Sequence, residues 1–268
     1  MRGSRMAELF KKRVLITVRT YPVPATKGVE VSCTAGITDD GKWIRLFPLP
    51  YRLLDDENKF KKYQWINVNV TKARNDPRPE SYNPQVDQIE TGSILSAERQ
   101  WAARWNVLRP IVNPSLCELQ SDRDVDGHPT LGLIKPNIDR LVIKPCSPEW
   151  SLAQVNSLRQ TSLFHKAPAQ ELEKIPFDFS YEFRCKKLFC TGHNMICTDW
   201  EMGEAYRHWR RKYGDDWEVK FRERFETEMI EKNDTHFYVG NLHQFPNAWI
   251  VIGLFYPPHE TTRDMFFK

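Results

Sequence analysis

Between Phe179 and Trp209 the chain reads FSYEFRCKKLFCTGHNMICTDWEMGEAYRHW, and this stretch constrains the fold more than any other. Phe179, Tyr181 and Phe183 alternate with polar neighbours, the period of a strand with one buried face. Directly behind them come Cys185, Cys190, His193 and Cys197, all within thirteen positions. Thiolates and an imidazole on so short a loop can converge on one ion without help from the rest of the chain, and they suit tetrahedral zinc. The spacing therefore predicts a zinc-knuckle hairpin, with Cys185, Cys190 and His193 as three ligands. Cys197 is the nearest fourth ligand, with His208 and Cys146 as alternatives. An iron–sulfur cluster on Cys185, Cys190 and Cys197 is the competing metal centre. The remaining thiols, Cys33, Cys117 and Cys146, read as small buried hydrophobes.

Beyond the loop, Met202, Tyr206, Trp209, Tyr213, Trp217, Phe221, Phe225 and Met229 recur three and four apart. That is the stripe of a long amphipathic helix, interrupted near Gly214, where Asp215 would cap its second half. THFYVGNL and AWIVIGLF then form a closing hairpin. In the first half, RVLITVRTY, VEVSCTAGI, KWIRLF and WINVNV are strand patterns, with Asp39-Asp40-Gly41 as a tight turn between two of them. Short strands joined by tight turns suggest a small antiparallel barrel. Ser93 to Leu108 has a helical composition that Pro110 stops, with Trp101 and Trp105 on one face. The expectation is an α+β fold of two small OB-like antiparallel barrels, the second carrying the knuckle and the long helix. Residues 1–120 and 121–268 would be the two domains. Asp122, Asp124 and Asp126 alternate like a calcium loop but lack its downstream glutamate, so they are not read as one.

Composition limits the functional classes. The net charge of +4 permits a basic face without demanding one, and 40% hydrophobic residues describe a folded chain. No apolar run approaches the roughly 20 residues of a membrane helix. Clustered thiols without an export signal suggest reduced cysteines and a cytoplasmic location.

Two kinds of chemistry suggest themselves. Clustered cations with aromatics suit nucleic acid, because cations hold phosphates while aromatic faces stack on bases. The candidates are Trp43, Arg45, Lys59, Lys61, Lys62, Arg74, Arg78 and Tyr82, with a second block at Arg207, Arg210, Arg211 and Lys212. Alternatively, Asp199 and Glu201 flank Trp200 on one face of a strand and can hold a catalytic metal in a nuclease-like enzyme, joined by His236 or His243. The same two acids also suit the start of the helix that follows, where they would complement its dipole. A scaffold that binds a partner protein through the aromatic helix is the third class.

EVSCTAGI followed by DGKWIRLFPLP resembles the opening of dual-OB-containing proteins. Cys33, Ala35, Gly36, Trp43, Ile44 and Arg45 match their pattern, whereas Leu46 and Phe47 depart from it. The resemblance implies nucleic-acid handling in bacterial mobile-element or anti-phage defence loci. The whole chain is also similar to a group of bacterial proteins sharing VLITVRTYP, RPESY, the Cys-x4-Cys-x2-His loop with DWE, and an FYVGN…GLFYPP ending. That second resemblance carries no activity across.

Overall fold

The computed structural model describes residues 8–25, 30–121, 128–161 and 171–259. Strands β1 (Leu9–Arg19), β2 (Val23–Pro24), β3 (Glu30–Thr38) and β4 (Trp43–Leu49) are followed by β5 (Gln64–Lys72), β6 (Ser81–Pro84) and β7 (Glu90–Ile94). Next come α1 (Glu98–Leu108), β8 (Val112–Asn113), α2 (Leu116–Ser121), β9 (Leu131–Ile134), β10 (Asn137–Pro145) and α3 (Leu152–Thr161). Strands β11 (Phe177–Arg184) and β12 (His193–Ile196) lead into helices α4 (Trp200–Tyr213), α5 (Trp217–Arg222) and α6 (Glu228–Glu231). The hairpin β13 (His236–Asn241) and β14 (Trp249–Phe255) closes the described chain. Asp122, Asp124 and Asp126 lie outside the described residues.

These elements form two units. One contains residues 1–95 and 150–173, the other residues 96–149 and 174–268. The division therefore falls at Leu95 and not near residue 120, and one later segment returns to the first unit. Packing explains both shifts. In α1, Trp101 and Trp105 lie 5.4 and 4.8 Å from the ring of Phe255, which ties that helix to the second unit. In α3, Ser157 donates its hydroxyl to the Ala25 carbonyl, and further along Tyr21 donates to the Glu173 carbonyl at 2.8 Å.

The first unit is a closed five-strand barrel. Its strands follow the order β1-β3-β4-β6-β5, and β5 pairs back onto β1 from Leu9↔Thr71 to Leu15↔Trp65. All the pairs are antiparallel except β4–β6, where Arg45↔Ser81 and Leu46↔Tyr82 run parallel. Val14, Ile16, Ile44, Leu46, Ile66, Val68 and Val70 fill the interior. Each aliphatic side chain so buried contributes roughly 1.5–3 kcal/mol. The turn at Asp39-Asp40-Gly41 forms as its sequence suggests, with Gly41 at φ 77° and its N–H donating to the Thr38 carbonyl at 2.9 Å.

The second unit has a three-stranded sheet, β10-β11-β12, and a four-stranded sheet, β14-β13-β9-β8. Among the described residues these sheets do not close into a second barrel. Their apolar faces are covered instead by the aromatic stripe of the helices. Phe221 is fully buried, stacked on Phe179 at 4.4 Å and beside Phe225 at 4.8 Å. The stripe is the one legible in the sequence, but its backbone is broken twice. Gly214 ends α4, and Glu223–Thr227 forms a π-helical turn between α5 and α6. Asp215 does not cap α5; it pairs with Arg210, and Asp216 takes the cap position.

Candidate metal centre

Strand β11 ends at Arg184, so Cys185 is the first residue of the loop. The loop turns tightly, with the Cys190 N–H donating to the Lys187 carbonyl at 3.2 Å. Gly192, at φ 99°, reverses the chain in a conformation that a side chain would oppose. His193 then opens β12 directly opposite Phe183. Three of the residues singled out by their spacing are thereby brought together. The Cys185 and Cys190 sulfurs lie 3.4 and 3.3 Å from His193 Nε2.

The fourth group is Cys117, not Cys197. Cys117 Sγ lies 3.4 Å from the same Nε2, and the four ligand atoms all fall within 4.8 Å of one another. Helix α2 presents it from 68 residues earlier in the chain than Cys185. Ser115 starts that helix, its hydroxyl accepting from the Glu118 N–H at 3.1 Å. Lys187 of the loop pairs with Glu118 at 2.5 Å and fastens the two segments together. Cys197 is excluded by strand geometry. It lies four residues beyond His193, one past the end of β12, about 13 Å away at ~3.3 Å per residue. It is buried in the aromatic core, where its N–H donates to the Phe179 carbonyl at 2.7 Å. The cluster of Cys117, Cys185, Cys190 and His193 can therefore bind a metal ion, and none of the six cysteines forms a disulfide.

Burial and close neighbours shift three of the four groups. Burial, with the nearby sulfurs of Cys190 and Cys185, pushes the Cys117 thiol up to about 12. Burial also opposes the Cys190 thiolate, but N–H groups of Cys185 and Gly192 outweigh it and hold that thiol below its ordinary value. The Cys185 N–H lies 3.2 Å from the Cys190 sulfur. Burial lowers His193 as well, keeping its ring neutral and its nitrogen lone pair available.

The acidic pair behind the knuckle has other work. Asp199 is 3% exposed and uses both oxygens on backbone N–H groups, Glu201 at 2.7 Å and Leu254 at 2.8 Å. It caps α4 and ties that helix to β14, so its oxygens are taken up by the fold and not presented to a catalytic ion. Glu201 accepts from the Tyr256 hydroxyl at 3.0 Å. His236 is buried beside Trp105, and His243 is exposed in the turn between β13 and β14. The structure does not bring these four groups into one site.

The cationic candidates divide by exposure. Arg45 is buried, 3.7 Å from Glu80 and 3.7 Å from the Cys33 sulfur, which takes it out of reach of a phosphate. Arg78 grips Asp76 at 2.8 and 2.6 Å, and Lys59 pairs with Asp56 at 2.8 Å. Tyr82 packs on the barrel core with Lys72 over its ring at 4.6 Å, and Trp43 is half-buried. Lys62 is half-buried against the Tyr63 ring at 5.8 Å. Arg207 pairs with Glu204 at 2.9 Å, and Arg210 with Asp215. Lys61, Arg74, Arg211 and Lys212 are exposed. Among the described residues, no helix is long and apolar enough to cross a membrane.

Two family matches meet near residue 111, beyond the division of the fold at Leu95, so α1 lies in the first match but in the second unit. Residues 10–110 match the family described as Domain of unknown function (DUF8758), and residues 112–268 match Domain of unknown function (DUF8757). No curated protein matches the chain. The second match spans more than half of the sequence and holds all four residues of the cysteine–histidine cluster, so the chain belongs to the DUF8757 family.

Proposed function

We propose that the protein binds single-stranded nucleic acid through an OB-like barrel, and that a structural zinc ion holds its second unit together. The observation that carries the first part is the strand order. A closed barrel in the order β1-β3-β4-β6-β5, with one parallel pair between its third and fifth strands, is the arrangement of the five-stranded Greek-key barrel that binds oligonucleotides. In such barrels the loop between the last two strands grips the ligand. Here that loop is residues 73–80, and it carries the exposed Arg74. In the second unit, Phe189 stands 90% exposed next to Leu188 at 92%, directly after Lys186 and Lys187. An aromatic ring offered to solvent beside cations suits base stacking.

The metal assignment rests on donor chemistry and spacing. For bonds of ~2.3 Å to sulfur and ~2.0–2.1 Å to nitrogen, a regular tetrahedron separates sulfur from nitrogen by about 3.5 Å. The three sulfur–nitrogen distances of 3.3, 3.4 and 3.4 Å match that figure. Four donors within 4.8 Å of one another suit a single ion better than the several irons of a cluster. With three thiolates and one imidazole the shell is full, which suits a structural ion, since catalytic zinc keeps an open position.

Oligonucleotide binding followed by fluorescence anisotropy tests the function. Affinity should fall steeply with salt, with a logarithmic slope of about −0.7 per phosphate contacted. Arg74→Gln should weaken binding to all sequences alike and reduce that slope. Salt-independent affinity, or no binding to single strands, would remove the proposal.

A further inference from the structure

A second concave feature lies in the same unit as the metal cluster but shares none of its residues. It is a pocket of about 690 Å3 between α1 and the start of β13, a volume typical of small-molecule sites. Arg99, Arg109 and Lys135 line it, opposed by the single acid Asp234. Lys135 is already paired with Asp234. Among the described residues Arg99 and Arg109 form no ion pair, although Arg109 lies over the Trp105 ring at 5.7 Å, so two guanidinium groups with no described carboxylate partner border one cavity. Such a cavity concentrates anions, and guanidinium groups match phosphate oxygens in pairs.

The wall is shaped for more than an ion. His236 lines the wall, is 3% exposed, and its Nδ1–H donates to the Asp234 carbonyl oxygen at 3.0 Å. Trp105 meets His236 edge to face at 4.8 Å and provides an apolar surface. At the rim, Arg99, Gln100 and Trp101 have φ values of 49°, 51° and 61°, three successive side-chain-bearing residues in the left-handed region. L-residues take that conformation singly, not in runs. Here it is held by Trp101, which packs 5.3 Å from Tyr256 and 4.4 Å from the Arg104 guanidinium. Strain maintained in this way gathers at ligand-binding segments, and this turn is what places Arg99 at the pocket.

We propose that this pocket binds a small phosphorylated molecule of nucleotide size, with Arg99 and Arg109 holding its phosphate. The doubly charged phosphate monoester balances the two guanidinium groups, and the Trp105 ring on the wall suits the remainder. The site is separate from oligonucleotide binding by the barrel, so either can fail without the other.

Calorimetric titration of the full chain with adenosine 5′-monophosphate, ribose 5-phosphate, adenosine and citrate tests it. The two phosphate esters should bind saturably, while adenosine and citrate should not. Arg99→Gln and Arg109→Gln should each lower the affinity about tenfold, with melting temperature and metal content unchanged, because both side chains are exposed. The proposal is overturned if neither ester binds, if citrate binds in place of the esters, or if the Arg99→Gln/Arg109→Gln double variant binds as tightly as the unmodified chain.

Discussion

Removal of the metal by a strong chelator should lower the melting temperature of the second unit by roughly 8–16 °C. An ion present at a thousand times its dissociation constant stabilises the folded state by about 4 kcal/mol, and a domain of 150–250 residues shifts roughly 2–4 °C per kcal/mol. The size of the effect follows from what the four ligands do. They join α2 to the β11–β12 loop, two segments otherwise linked at this place by the Lys187–Glu118 pair, whose side chains are 47% and 33% exposed. Without the ion, three sulfurs and a nitrogen remain crowded within 4.8 Å, with burial opposing ionisation of Cys117. Acid should act in the same direction as the chelator, because ligation needs thiolates and protons compete for them as the pH falls. Cys117→Ser should reproduce the destabilisation in the absence of chelator. Differential scanning fluorimetry with and without added zinc reads both effects, and an unchanged melting temperature in chelator would contradict them.

Asp199→Ala should destabilise the protein by about 2–4 kcal/mol. Loss of a helix N-cap costs about 1 kcal/mol, and loss of a buried hydrogen bond to a charged acceptor, here the one from the Leu254 N–H, costs about 1–3 kcal/mol more. The carboxylate also sits at the positive end of α4, so its charge stabilises the helix it caps. Glu201→Gln keeps an acceptor for the Tyr256 hydroxyl and should change stability by less than about 1 kcal/mol. Urea unfolding separates the two: the midpoint should fall clearly for the first variant and little for the second, at constant slope. Equal, small effects in both variants would show that Asp199 has no structural part.

What could be seen in the sequence was whatever has a local period. The turn at Gly41, the alternation of Phe179, Tyr181 and Phe183, and the aromatic spacing from Met202 to Met229 each follow from neighbours a few residues apart, and each appears in the fold. The Cys185-x4-Cys190-x2-His193 loop belongs with them. Cys117 does not, because nothing within a few residues of it marks a ligand and only the docking of α2 against the loop makes it one. Cys197 is the nearest thiol along the chain, but that proximity is a poor guide once the intervening residues are extended. Arg45 failed for a related reason. Its place in an alternating strand is legible, but the burial of that position and the nearness of Glu80 depend on pairs distant in sequence. The pocket at Arg99 and Arg109 left no local trace either, since it depends on a left-handed turn in residues whose composition favours a helix.

The metal centre is tested most directly by X-ray absorption at the zinc edge on protein purified under reducing conditions. One zinc per chain, with three sulfur neighbours at ~2.3 Å and one nitrogen at ~2.0–2.1 Å, is the expected shell. It should lose a sulfur in Cys117→Ser and stay intact in Cys197→Ser. Protein supplied with excess zinc that binds none, or a shell that changes with Cys197 and not with Cys117, would contradict the account.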